Sequence, residues 1–118
     1  AAILLLALLL SQMNHKLKTP EMDRFFRAVL SLRTEKECYA FFEDICTVSE
    51  LLAIAQRLEV AKMLSEDARY QDICDKTGAS SATVSRVNRA LHYGEDGYAL
   101  VLERLKNESE DGSANRHE

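Results

Sequence analysis

The sequence predicts an all-α protein, and three observations support that fold class. The 118 residues include one Pro and four Gly, too few turn-forming residues for the many short strands of a β-sandwich or barrel. Apolar residues recur along most of the chain at i, i+3, i+4 and i+7, which is the spacing of one helix face. Helix-capping sequences precede several of these stretches. The length fits one small domain.

The chain begins with an uninterrupted apolar run, Ala1 to Leu10. This run has about half the length of a membrane-spanning helix and lacks the basic flank of a signal peptide, so we expect neither an anchor nor a leader and no membrane partner. Met13 is followed by polar residues and resembles a natural start. We therefore expect residues 1–12 to be non-native, added by cloning or wrongly assigned as coding, and to form a helix in an apolar groove.

Two amphipathic helices are predicted next. Thr19-Pro20 is typical of a helix start, because Thr caps a helix and Pro suits its first position. The apolar side chains from Met22 to Leu30 then repeat at helical spacing. A second helix is predicted to begin at the capping box 34–37, and residues 38–46 repeat the same apolar spacing.

A third helix is predicted from another capping box, Thr47 to Glu50, through Leu64. Its apolar residues cover more than one stripe, so we expect burial on several sides and a central place in the core. The downstream helices are too short to cover the wide apolar faces of these three helices. We therefore expect an intertwined homodimer, with burial of each stripe inside one subunit as the alternative.

Residues 69–92 are predicted to form a helix-turn-helix. Gly78 can adopt the left-handed conformation that ends a short helix and permits a sharp bend. Ile73 and Ala79 are expected to face inward, and Ser80 is a suitable N-cap for the second helix. That helix has one narrow apolar seam, formed by Val84, Val87 and Leu91. These spacings about the glycine are typical of a DNA-binding helix-turn-helix.

The second helix of this motif has the composition of a helix that enters the major groove of DNA. Its N-terminal residues are small or hydroxylated, which lets the backbone approach base edges. No acidic residue lies between Ser80 and Tyr93, although the net charge of the protein is −4. We expect base contacts from Ser81, Ala82 and Ser85, and phosphate contacts from Arg69, Lys76 and Arg89. The candidate DNA-binding residues are Arg69, Lys76, Ser80, Ser81, Ala82, Ser85, Arg86 and Arg89.

A last amphipathic helix is predicted from Tyr98 to Leu105, and it should close the core. Gly94 and Gly97 separate it from the helix-turn-helix. We expect the folded domain to cover residues 13–106. The polar residues 107–118 are expected to form a disordered tail.

Other classes of function compete with DNA binding. A helical hairpin that contacts protein is the alternative interpretation of residues 69–92. We expect no enzyme, because the sequence shows no nucleophile paired with a base, no phosphate-binding glycine loop and no metal-ligand cluster. The scattered histidines and the cysteines have no metal-ligand spacing, so no metal or cofactor is expected. The cysteines are expected to be small buried residues in a reducing cytosol: Cys38, Cys46 and Cys74.

From about Glu21 to Leu105 the chain resembles the Trp repressor superfamily, most closely its YerC/YecD branch of small bacterial proteins. The resemblance lies in ECYAFFEDICT at 37–47, AQRLEVA at 55–61, and TGAS with ATVSRV at 77–87. It implies a six-helix subunit and an intertwined homodimer. It also implies two recognition helices in successive major grooves, with half-sites about 34 Å apart.

The resemblance also raises the question of a small-molecule effector. In the Trp repressor, tryptophan lies between two arginines and orients the recognition helices. Arg86 matches the second arginine, while the first is matched by Gln56 without gaps or by Arg57 after a one-residue shift. The implied effector pocket is thus Gln56, Arg57 and Arg86. The YerC/YecD branch is not known for sensing tryptophan, so tryptophan is not expected. The identity of any small-molecule effector is left open.

The sequence therefore predicts a cytoplasmic, homodimeric regulator of transcription that binds specific sequences of double-stranded DNA, with repression as the expected effect. A dimeric protein-interaction module without DNA binding is the alternative.

Overall fold

The computed structural model describes residues 1–13 and 16–114, and its secondary structure there is entirely helical. The predicted all-α fold is therefore confirmed. His15 and His117, and the last four residues of the predicted tail, lie outside the described residues. The helices are α1 (Ala2–Met13), α2 (Pro20–Ser31), α3 (Glu35–Ile45), α4 (Val48–Ser65), α5 (Tyr70–Thr77), α6 (Ser81–Tyr93) and α7 (Gly97–Ala114).

The chain divides into two compact units, Ala1–Ile45 with α1 to α3 and Cys46–Glu118 with α4 to α7. In the first unit, the apolar run forms α1, as expected. The large apolar side chains between residues 3 and 9 are exposed, however, from 84% at Ile3 to 50% at Leu9, so the described part of this chain provides no apolar groove for them. That residues 1–12 are non-native stays a prediction.

Helices α2 and α3 begin at the predicted threonines. The Thr19 hydroxyl accepts a hydrogen bond from the Met22 N–H at 3.1 Å, and the Thr34 hydroxyl accepts one from the Glu37 N–H at 3.1 Å. In a capping box the carboxylate accepts from the backbone N–H of the capping residue. At Thr34 the Glu37 carboxylate instead accepts from the Thr34 hydroxyl at 3.2 Å.

The two helices pack through aromatic rings. The ring centroids of Phe25 and Phe41 are 6.3 Å apart and the rings are stacked. Neither helix contains a buried residue, and Leu30 is 83% exposed. The wide apolar faces predicted for α2 and α3 are therefore open on a single chain.

In the second unit, α4 begins with the complete capping box that the sequence predicts. The Thr47 hydroxyl accepts from the Glu50 N–H at 3.1 Å, and the Glu50 carboxylate accepts from the Thr47 N–H at 2.9 Å. The hydrogen bond from the Thr47 N–H favours the charged carboxylate and lowers the pKa of Glu50 below its ordinary value of 4.5.

The core of the second unit lies between α4 and the helix-turn-helix. Its buried residues come from α4, α5, the turn and α6: Val60, Ala61, Met63, Ile73, Ala79, Val84 and Val87. Tyr98 and Leu102 of α7 pack against this core, as predicted, and Leu91 lies half-buried at the end of the predicted seam.

Burial of α4 is less complete than predicted. Only its C-terminal half contains buried residues, whereas Val48 is 75%, Leu52 65% and Ile54 49% exposed. The core residues of α5 and α6 meet α4 at Val60, Ala61 and Met63. The N-terminal half of α4 therefore keeps an apolar surface that one chain does not bury.

Two further expectations are corrected by the structure. Cys38 is exposed, and Cys46 and Cys74 are only half-buried, so none of the cysteines is a fully buried residue. Helix α7 continues to Ala114, in place of the disordered tail expected from residue 107. Lengthening an existing helix costs far less than starting one, so α7 extends through the polar, exposed residues 107–112.

No helix in the described part of the chain combines the length and the apolar character needed to cross a membrane.

Candidate nucleic-acid interface

The helix-turn-helix consists of α5, a turn at residues 78–80 and α6. Gly78 has φ +73°, the left-handed conformation that the sequence predicts for it. Its N–H donates to the Cys74 carbonyl at 2.9 Å and ends α5. Ala79 is 6% exposed and lies under the corner. The bend therefore follows from one glycine and one small buried residue.

A second set of hydrogen bonds fixes the turn. The Thr77 hydroxyl donates to the Ile73 carbonyl at 2.6 Å and accepts from the Ala79 N–H at 3.2 Å. The Gln56 side-chain amide, from α4, donates to the Thr77 carbonyl at 3.1 Å. The role of Thr77 was not predicted from the sequence, although a hydroxyl directly before a turn glycine is a recognisable local signal.

Ser80 caps α6. Its hydroxyl accepts from the Thr83 N–H at 3.1 Å and lies 3.0 Å from the Thr83 hydroxyl. The predicted N-cap is therefore confirmed. Ser80 is also exposed, and its role in binding DNA stays a prediction.

The outward side of α6 is an exposed and mainly polar surface, which we call the recognition face. The opposite side is anchored by Val84 and Val87, which are 0% and 1% exposed. Residues four apart lie above one another on a helix, and the recognition face extends about 12 Å along α6 at 1.5 Å per residue. An α-helix with its side chains is about 10–12 Å across, close to the width of about 12 Å of the major groove of DNA. The exposed residues of the recognition face are Ser81, Ala82, Ser85, Arg86 and Arg89.

Exposed basic side chains also lie on α5. Arg69 occupies the N-cap position of α5 without a side-chain capping bond, and Lys76 lies in the last turn of α5. Among the described residues the ion pair is Lys18 with Asp23, so Arg69, Lys76 and the arginines of α6 make no ion pair there. Their charges are available to an anionic partner.

Among the candidate effector residues, Arg57 lies at a cavity. Arg57 lines an open cavity of about 560 Å³ with Leu58, Ala90 and Tyr98. Gln56 and Arg86 are not among its lining residues, because Gln56 bonds the turn and Arg86 lies on the recognition face. The effector pocket stays a prediction. The described residues hold no group of three or more potential metal-binding side chains.

Comparison with known proteins gives consistent matches. Residues 20–106 match the family model for the Trp repressor protein. The chain is 48% identical over 99 residues to the uncharacterized protein YerC of Bacillus subtilis strain 168, which covers 84% of this chain and 95% of that protein.

Two solved structures are similar as well. A TrpR-like protein from Eubacterium eligens ATCC 27750 is 58% identical with a TM-score of 0.76, covering 77% of this chain and 94% of that chain. A protein from Staphylococcus aureus is 45% identical with a TM-score of 0.75, covering 77% of this chain and 91% of that chain.

Proposed function

This chain belongs to the Trp repressor family, whose members are regulators rather than enzymes, and we therefore propose that it is a homodimeric, sequence-specific DNA-binding regulator of transcription. Helix α6 enters the major groove with its N-terminal end towards the bases. Ser81, Ala82 and Ser85 contact base edges. Repression is the proposed effect, and the cytoplasm, where bacterial DNA lies, is the proposed location.

The recognition face is the observation that supports this function most strongly. Its side chains are exposed while the opposite side of α6 is buried, so the helix is held firmly and its outer side is open to a ligand. Small side chains at Ser81 and Ala82 permit close approach to bases, and an Ala methyl can pack against a thymine methyl. The absence of acidic residues from α6 avoids repulsion by phosphates.

Affinity is proposed to come mainly from phosphate contacts by Arg69, Lys76 and Arg89. These contacts position the protein but do not read the sequence. Two copies would neutralise about six phosphates, which predicts a slope of about −5 for log affinity against log salt concentration. Arg86 lies between the small residues and Arg89 on the recognition face, where its guanidinium can reach a guanine edge.

The proposed dimer accounts for the apolar surface of a single chain. Phe26 is 55%, Leu30 83% and Leu52 65% exposed, and exposed apolar surface of this kind is what protein association buries. A two-fold arrangement would present two α6 helices to successive major grooves, about 34 Å apart.

Gel-shift titration on a mixture of duplexes tests the proposal. Between about 50 mM and 200 mM salt the affinity should fall about a thousandfold, because phosphate contacts release counterions. Some duplexes should be retained at salt concentrations that release the others. Absence of binding at the lower salt concentration would refute DNA binding and leave the protein-interaction module as the function.

A further inference from the structure

The amide of Gln56 forms a specific connection between α4 and the helix-turn-helix. Its Nε2 donates to the Thr77 carbonyl at 3.1 Å, and the two residues are 21 positions apart in the chain. Thr77 is the last residue of α5, where helix carbonyls have no partner within the helix. Both residues are half-buried, so the bond is partly shielded from water.

The other contacts between α4 and the helix-turn-helix core are apolar. Val60, Ala61 and Met63 of α4 pack with Ile73, Val84 and Val87, and apolar packing has little directional preference. A hydrogen bond weakens steeply when its angle departs from linear. The single hydrogen bond from Gln56 therefore restricts the orientation of the turn in a way that the apolar contacts do not.

The bonds around Thr77 transmit this restriction to α6. The Thr77 hydroxyl accepts from the Ala79 N–H, and Ala79 directly precedes the N-cap of α6. A Cβ placed on Gly78 would lie 3.9 Å from Gln56 Nε2, so the amide also lies directly beside the bend. The amide thus lies where it can set the direction in which α6 leaves the turn.

We propose that Gln56 is a positioning residue, whose hydrogen bond to the Thr77 carbonyl fixes the orientation of the recognition face and so determines sequence specificity. This inference rests on the proposed DNA-binding function. Gln56 does not touch DNA, and its effect passes through the turn. Sequence-specific contacts need accurately placed side chains, whereas non-specific phosphate contacts tolerate a tilted helix.

The substitution Gln56→Met tests the inference, because Met has similar length but cannot donate. Affinities are measured for a duplex selected by the wild-type protein and for a scrambled duplex. The ratio of the two affinities should fall about tenfold, in the range expected when a partly buried carbonyl loses its donor. The affinity for the scrambled duplex should change less than about twofold.

Gln71→Met is the matched control. The Gln71 amide donates to the Asp75 carboxylate within α5, so the same chemical change leaves the link to α4 intact. The affinity ratio should stay at the wild-type value. Gln56→Glu is a second test variant of the same shape, and its carboxylate also lacks a donor, so it should lower the ratio as well.

Amide hydrogen exchange provides a readout that does not involve DNA. In Gln56→Met the protection of the Gly78 and Ala79 amides should fall about fivefold or more, while that of Val87 in the middle of α6 stays unchanged. A general loss of stability would instead lower protection at all three positions and weaken both duplexes equally, and that result would overturn the positioning role.

The outcomes separate the inference from the function on which it rests. A wild-type protein that does not distinguish the two duplexes refutes the proposed function, and the inference with it. Normal discrimination in both Gln56 variants, or unchanged exchange at the turn, refutes the positioning role alone.

Discussion

Gly78 shows how one residue determines the course of the backbone. Its φ of +73° lies in the region that L side chains rarely adopt. A Cβ there would meet Gln56 Nε2 at 3.9 Å, an ordinary contact distance. The requirement for glycine is therefore conformational rather than steric. At Gly94 the reason is different, because a Cβ would overlap the Ala90 carbonyl oxygen.

Gly78→Ala should lower the free energy of unfolding by about 1 kcal/mol, the cost of an L residue in the left-handed region. Urea denaturation measures this change. Gly112→Ala is the control, since Gly112 lies in helix α7 with nothing within 4 Å of a built Cβ. The control should not lower the free energy, because alanine favours a helix. Equal losses in both variants would contradict the conformational explanation.

Arg89→Ala should weaken binding to all duplexes by a similar factor. It should also reduce the salt slope by about 2 per dimer, because one phosphate in each half-site is no longer neutralised. Arg104→Ala removes the same charge from the exposed surface of α7 and should leave the slope unchanged. Gel shifts at several salt concentrations give both slopes. An unchanged slope in Arg89→Ala would remove its phosphate role.

The helices differ in how far the sequence predicts them. The starts of α2, α4 and α6 could be predicted, because each capping threonine or serine bonds a group three residues away. The hydrogen bond from Gln56 to Thr77 could not be predicted, since it depends on how α4 packs against α5. The end of α7 was also missed, because its polar residues favour a tail by composition but continue a helix at low cost.

The recognition face could also be predicted only in part. The seam of α6 follows from helical spacing, which also places Ser81 and Ser85 on the outside. Whether a neighbouring segment covers them depends on tertiary structure, and the structure leaves them exposed. The extent of α4 burial likewise depends on contacts beyond the local sequence.

The start of α4 should show a pH dependence that comes from Glu50. Hydrogen bonds from Thr47 lower the carboxyl pKa in the folded state. The stabilisation by the charged Glu50 carboxylate is therefore complete above the pKa that this group has in the unfolded chain. It is lost as the pH falls through the lower pKa of the folded state. The advantage of wild type over Glu50→Gln should shrink below about pH 4.5 in urea denaturation. A difference that does not vary with pH would contradict the capping role of the carboxylate.

At the scale of the whole molecule, exposed apolar residues on α2, α4 and α7 point to association. Leu30, Leu52 and Leu105 are 83%, 65% and 48% exposed. The proposed dimer would present both recognition faces to one DNA duplex, so this proposal links association with the reading of DNA.

Sedimentation equilibrium should give about twice the chain mass of 13.3 kDa. The thermal midpoint should also rise with protein concentration, because mass action stabilises an assembled state. A mass of one chain together with a constant midpoint would exclude the dimer.

Selection of bound sequences from a random pool of duplexes tests the central claim, that the recognition face of α6 reads DNA. The wild-type protein should enrich an inverted repeat with half-sites about one helical turn apart. The double variant Ser81→Ala, Ser85→Ala should lose the preference at defined positions of each half-site, while Arg104→Ala should enrich the wild-type repeat. No enrichment by the wild type, or an identical consensus from the double variant, would contradict the claim.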